Sequence, residues 1–440
     1  MNVKLSILVV ICCFAISFFS PLSGFAQGET AVPFLIFSAS PEGNGMGGIN
    51  GSVLTDDAMA GIANPAQLGL QSLHQFFSTG FFLSSTDWLP GLQQDKLTYT
   101  ATAFNVGLNL QRVVAIPLPL SLAFGYSHIS HDLGDFIISN GSPESLGSYT
   151  ANEHSTNYTF GIGLDYYIKL GLGYTTKSVK STLAPFDVQL SGRQGVADFS
   201  TYDLGLITQI PVIGIVSKVF GPMPRIVPDV DPLLDLTLDY SRNNQGNSRV
   251  AYIDAAQADP LPRAVSAGLN VKLGFVSHAL KSDWEIVSFM IAREAEDILV
   301  RRFPAPTDSV GNVIGPPPPW QYVDGTGDIR FFNNLVLGEW GGNVELRKGW
   351  QVNVGEFFYL RGGSYLGIGG QDYTTTGFSF RLGGLLKFFE WLSPPIASNQ
   401  VLDFVVQHID IQYNHSGYHS VDPMYPVDGT TYSGMNILLK

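Results

Sequence analysis

From residue 76 to residue 439 the chain repeats one pattern, a two-residue alternation of apolar with small or polar side chains in blocks of about ten residues. In residues 102–110, Phe104, Val106, Leu108 and Leu110 alternate with Ala103, Asn105, Gly107 and Asn109. Residues 118–126 set Leu120, Leu122 and Phe124 against Ser121, Ala123 and Gly125, and residues 158–166 set Phe160, Ile162 and Leu164 against Thr159, Gly161, Gly163 and Asp165. A period of two sends successive side chains to opposite faces of a strand. About ten residues is the length a tilted strand needs to cross a bilayer. Further blocks lie at 76–83, 170–176, 201–210, 234–241, 265–275, 284–292, 334–339, 343–347, 351–360, 377–388, 402–413 and 432–439. A soluble sandwich also alternates, but its strands run about five or six residues and its outer faces carry Lys and Glu. Here the second face is mostly Gly, Ala, Ser, Asn and Thr. The pattern predicts an all-β fold, a transmembrane antiparallel β-barrel of about 14 strands.

Composition points the same way. Only 14% of residues are charged, against about 25% in a soluble domain, and 48 are glycine. No late stretch would serve as a spanning helix: residues 210–227 are broken by Pro211, Lys218, Pro222, Pro224 and Arg225. Residues 1–26 read as a secretory signal, with Lys4, an apolar run over residues 5–19 and a cut after Ala26. Cys12 and Cys13 fall inside that run, so the mature chain has no thiol for a disulfide, a nucleophile or a metal. The formal charge of -13 disfavours a nucleic-acid partner. The expected partners are outer-membrane lipids, and the expected organisation is a signal over residues 1–26, a plug segment over 27–70 and the barrel over 71–440.

Residues 34–70 do not alternate. Gly43, Gly45, Gly47, Gly48 and Gly51 permit tight backbone and close approach to a wall. Thr55 reads as the cap of a short helix with Asp56 and Asp57 in its first turn, and Asn64, Pro65 and Ala66 read as the turn that ends it. The segment therefore reads as an insert packed in a barrel mouth. Its glycines lack the Gly-Lys-Ser/Thr of a phosphate loop, and the paired aspartates read as solvated or capping groups rather than metal ligands.

Elsewhere no catalytic constellation and no cofactor or metal site is expected. His415 and His419 are four apart, but residues 413–417 read as a turn rather than a helix. Asp229, Asp231 and Asp235 are interrupted by Pro228 and Pro232 and read as a solvated loop. Asp165, Asp235, Asp239, Lys272 and Arg347 read as inward charges that pair within the lumen, since lipid-facing charge is costly. Residues 139–156 and 302–328 read as outer loops. The second contains Pro316, Pro317, Pro318, Pro319 and Trp320, a polyproline-like stretch with an aromatic suited to protein contact.

The plug segment resembles that of the PorV/PorQ-type outer-membrane proteins, relatives of the FadL-type transporters. The likeness rests on Phe34-Leu35, Gly45-Met46-Gly47-Gly48, Asp56-Asp57-Ala58 and Asn64-Pro65-Ala66-Gln67-Leu68, in that order. A second block, Leu261-Pro262-Arg263 leading into a strand, is similar to that family's pattern, as is the run Ile298-Leu299-Val300. The resemblance implies a FadL-like barrel closed by its N-terminal segment and placed in the bacterial outer membrane. It further implies a non-catalytic cargo-binding role in type IX protein secretion, with secreted cargo bearing C-terminal sorting domains and other secretion components as partners. FadL kinship implies the alternative, a transporter of small hydrophobic molecules with an apolar pocket beneath the plug, bordered by Met46 and Met59.

Overall fold

The structure is a computed structural model that describes residues 30–440, apart from residues 50, 91–96, 115–118, 139–146, 185–193, 222–228, 247–248, 254–257, 281, 304, 307, 309–311, 316–318, 368–371, 394–399 and 422–424. The expected signal, residues 1–26, lies outside the described residues.

Fourteen strands form one ring in which each is antiparallel to its neighbours along the chain. The first seven are β1 (Phe77–Phe82), β2 (Thr98–Asn109), β3 (Leu120–Ile138), β4 (Gly147–Asp165), β5 (Lys169–Ala184), β6 (Gly195–Pro211) and β7 (Val230–Gly246). The rest are β8 (Ala264–Ser277), β9 (Trp284–Ile298), β10 (Val344–Val354), β11 (Phe358–Leu366), β12 (Asp372–Arg381), β13 (Ile409–His419) and β14 (Thr431–Leu439). β1 closes the ring by pairing with both β2 and β14. A two-residue strand, Thr86–Asp87, adds a spur on β2. Closure leaves no edge, which is the condition for a sheet whose main-chain polar groups must be satisfied within hydrocarbon.

The alternation translates directly into faces. Phe104, Phe124 and Phe160 are 49%, 43% and 52% exposed, while Ala103, Ala123 and Thr159 beside them are buried. Together with Leu172, Leu204, Leu273 and Ile291 they form an apolar outer belt. One end of the barrel carries the start of β1 and the end of β14, and is called the terminal end; the opposite end, which carries the connection over residues 299–343, is the loop end.

Several blocks fold differently from their alternation. Residues 147–156, expected in a loop, are the first half of β4. The blocks 343–347 and 351–360 do not form two separate strands: β10 joins the first to residues 351–354, the chain turns at Gly355, whose φ is 63°, and residues 358–360 begin β11. Residues 334–339 form a single π-helical turn, Phe332–Leu337, closed by Gly338. Arg293 donates to its Leu335 and Val336 carbonyls at 3.2 and 2.6 Å. The block 377–388 leaves the strand at Arg381, because Leu382, Leu385, Leu386 and Phe389 then follow helical spacing, and the helix Leu382–Leu392 results. Residues 402–413 divide between the helix Gln400–His408 and β13, and the expected turn at 413–417 lies inside β13.

Inside the ring the segment from residue 30 to residue 75 follows the wall. A Cβ added to Gly161 of β4 would stand 2.5 Å from the nitrogen of Gly69 and 3.0 Å from its Cα. Gly363 of β11 meets Met46 and Gly47, Gly377 of β12 meets Gly45, and Gly173 of β5 meets Pro65 with equally little space. Wall and segment thus touch backbone to backbone, and the inward glycines of the alternation are what allow it. Gly161→Val should displace the helix Ala66–Gln71 and cost about 1–3 kcal/mol or more. Protease cleavage within residues 60–75 should rise while the barrel still inserts; unchanged cleavage would contradict this packing.

Candidate binding chamber and the segment that borders it

The interior segment is held by polar contacts aimed from the wall. Glu42 pairs with Arg361 of β11 at 2.6 Å, both buried, and Arg361 also donates to Gln351 at 2.6 Å and to Ser379. Asp56 pairs with Arg381 of β12 and lies 2.8 Å from His74. Segment amides donate to the wall as well: Gly47 to Thr375 at 2.7 Å and Gly51 to Glu294 at 2.9 Å. Asn105 donates to the Ala58 carbonyl at 2.9 Å and the Tyr418 hydroxyl to Asn44 at 2.8 Å. Within the segment, Gln67 donates to the carbonyls of Gly51 and Val53, and Gln71 to those of Thr55 and Asp57. These contacts answer the requirement that buried backbone be hydrogen-bonded.

The motif residues are thereby placed, some of them otherwise than expected. Gly45, Gly47 and Gly48 line the contact with β10, β11 and β12, and Gly47 and Gly48 adopt φ of 75° and 85°. Asp56 is an ion-pair partner of the wall, not a solvated group. Asp57 accepts from Met59 N–H at 3.0 Å and from the Ser40 hydroxyl at 2.5 Å. Asn64 stands between two short helices: its N–H donates to the Ala60 carbonyl at 3.3 Å at the end of Ala60–Ile62, its Oδ1 accepts from Ala66 N–H at 3.1 Å at the start of Ala66–Gln71, and its side-chain amide donates to Asp239 at 3.3 Å. Met46 packs with Ile49, Val53 and Met290, and Met59 belongs to the larger apolar cluster; neither lines the two large spaces that flank the segment. Among the expected lumen charges, Lys272 pairs with Glu285 at 2.6 Å and Arg347 with Glu294, Glu296 and Glu345. Pro316, Pro317 and Pro318 lie outside the described residues; Pro319 is exposed, and Trp320 is half-buried with Arg249 over its ring at 5.3 Å.

Among the described residues, two large spaces flank the segment. At the terminal end is a bowl of about 860 Å³ whose lining includes Asp165, Lys169, Lys272, Glu285, Arg381 and Lys440. At the loop end is a smaller chamber of about 290 Å³, bordered by Leu35, Phe37 and Ile62 of the segment, by Trp88 and by tyrosines of the wall. The more apolar of the two spaces therefore lies on the loop side of the segment, and the more polar at the terminal end.

The chamber wall belongs to an aromatic belt that the alternation alone does not reveal. Tyr365 of β11 stacks on Tyr373 of β12 at 4.8 Å, and Tyr373 on Tyr418 of β13 at 4.7 Å. Tyr418 meets Tyr432 of β14 at 5.3 Å, and Phe82 of β1, Tyr99 of β2 and His131 of β3 continue the series at 6.0 to 6.4 Å. Seven consecutive strands each contribute one inward ring. Next to this wall on β10, Arg347, the register partner of Tyr365, binds Glu294 and Glu296 at 3.0 Å and Glu345 at 3.4 Å. The signal was present in the sequence as parity: Glu294 and Glu296, and Glu345 and Arg347, are spaced by two and share an inward face.

No protein-family model matches the chain, and no curated protein matches it. Among solved structures it is similar to CdiB from Acinetobacter baumannii, at 10% identity and a TM-score of 0.32, covering 83% of this chain and 60% of that one. It is also similar to a Pseudomonas aeruginosa FadL homologue, at 10% identity and a TM-score of 0.32, covering 95% of this chain and 98% of that one. A third is a TodX monoaromatic hydrocarbon channel carrying a deletion, at 10% identity and a TM-score of 0.35, covering 91% and 97%.

The two aspartates of the motif differ electrostatically. Burial pushes the Asp56 carboxyl up, but Arg381 and then His74 hold it well below the usual range. Asp57 is pushed up from 3.8 to about 6, first by burial and then by Glu42. A raised folded-state value means that Asp57 disfavours the docked state once ionised. Its contribution is intact below about pH 4 and lost as pH rises through about 6. Wild type should therefore lose up to about 3 kcal/mol between those limits relative to Asp57→Asn. Denaturant titrations at pH 4 and pH 7.5 check this, and equal pH dependence in the two proteins would contradict it.

Proposed function

We propose that the chain is a non-catalytic outer-membrane channel, of FadL type, that admits small, largely apolar molecules through the loop end. The observation that carries this reading is the tyrosine-walled chamber of about 290 Å³ against the interior segment. Its size suits a small ligand, and its lining combines aromatic surface with a few fixed polar groups, the usual make-up of a small-molecule site. Aromatic faces bind flat apolar solutes. A solute held there is separated from the polar bowl by the segment, so release toward the terminal end requires that segment to shift. The segment then serves as plug and gate together. The apolar outer belt is the surface that would face lipid.

The secretion reading implied by the PorV/PorQ resemblance places the working surface on the outer loops instead, with Trp320 as its contact. It differs in what it requires of the lumen, which would be inert.

In planar bilayers the intact chain should show little steady conductance, whereas a chain lacking residues 34–70 should conduct. Proteoliposomes of the intact chain should admit benzyl alcohol faster than protein-free vesicles and exclude glucose. Entry of neither solute above background, with normal insertion, would overturn the channel reading. Loss of surface-attached proteins on deletion of the gene, with solute entry unchanged, would favour the secretion reading.

A further inference from the structure

Resting on the channel reading, we propose that the chamber discriminates by head-group charge, taking aromatic solutes that carry a cationic or uncharged head and turning away carboxylates. Lys177 and Arg347 are the cations among its described lining residues, facing Glu294, Glu296 and Glu345. Both are already engaged. Arg347 is outnumbered three to one by carboxylates at 3.0 to 3.4 Å, and Lys177 is held by Asp203 at 2.7 Å and by Asn244 at 2.9 Å. An entering carboxylate would have to displace a glutamate from the guanidinium or remain unpaired beside three carboxylates, and both are costly.

An ammonium group meets the opposite situation. The acidic cluster adjoins the tyrosine wall, since the Arg347 guanidinium lies 5.8 Å from the centre of the Tyr365 ring. A cationic head would therefore sit between carboxylate oxygens and aromatic faces, each of which attracts it. An alcohol head needs only a hydrogen-bond partner, which the same carboxylates supply. The ring of the solute would lie along the stacked pair Tyr373 and Tyr418. This charge selection follows from the count and pairing of groups around the chamber, independently of how the segment moves.

The test is equilibrium dialysis of the full chain in detergent against benzylamine, benzyl alcohol and benzoate at pH 7.5. Benzylamine and benzyl alcohol should bind, with benzoate weaker than benzylamine by about tenfold or more. Tyr373→Leu should weaken all binding, and Glu296→Gln with Glu345→Gln should narrow the gap between amine and carboxylate. Benzoate binding as tightly as benzylamine would overturn the proposal while leaving the channel reading intact. Binding unaffected by Tyr373→Leu would place the solutes elsewhere and overturn it too. Binding of none of the three would overturn the chamber as a small-molecule site, and the channel reading with it.

Discussion

Everything in this molecule depends on backbone meeting backbone across the inner wall of the barrel. A closed ring of fourteen strands solves the problem of hydrogen bonding in hydrocarbon but leaves a lumen to be filled or left open. Filling it with a peptide segment would ordinarily demand a wide ring, because inward side chains hold the segment away. Here glycines at inward positions, such as Gly161, Gly173, Gly363 and Gly377, remove those side chains where Gly69, Pro65, Gly47 and Gly45 come to rest. The price is the conformational freedom of glycine. The ladder of each strand, paired on both sides, restrains it.

Close contact alone does not hold a polar segment in place. Buried amides, carbonyls and carboxylates need partners, and the wall supplies them at matched positions: Arg361 for Glu42, Arg381 for Asp56, Glu294 for the Gly51 amide and Asn105 for the Ala58 carbonyl. A buried pair is not in itself a large source of stability. Its value is positional, since a shifted segment would leave charges unpaired on both sides. That register divides the lumen into an aromatic chamber and a polar bowl.

The barrel was legible because its signal is local: parity along one strand decides which face is greasy, and Phe104, Phe124 and Phe160 obey it. The glycine-rich segment was legible as a compact insert because it breaks that parity. Its partners were not. Arg361 and Arg381 lie some three hundred residues from the carboxylates they bind, and nothing in their neighbourhoods marks them. The tyrosine wall escaped for a related reason, since Tyr365, Tyr373, Tyr418 and Tyr432 come together only after the strands pair. Where the alternation misled, a second periodicity was superposed on it. Residues 382–389 satisfy helical spacing as well as a strand pattern, and the chain follows the helix once it leaves the ring.

The central claim is that the glycine-rich segment is docked as firmly as the wall that surrounds it. Hydrogen–deuterium exchange read by mass spectrometry measures this on the native chain, because protection reports the free energy of local opening. Amides over residues 43–71 should exchange as slowly as those in β4 and β11, and far more slowly than the connection over residues 299–343. Exchange of residues 43–71 within seconds, with the strands still protected, would contradict the account.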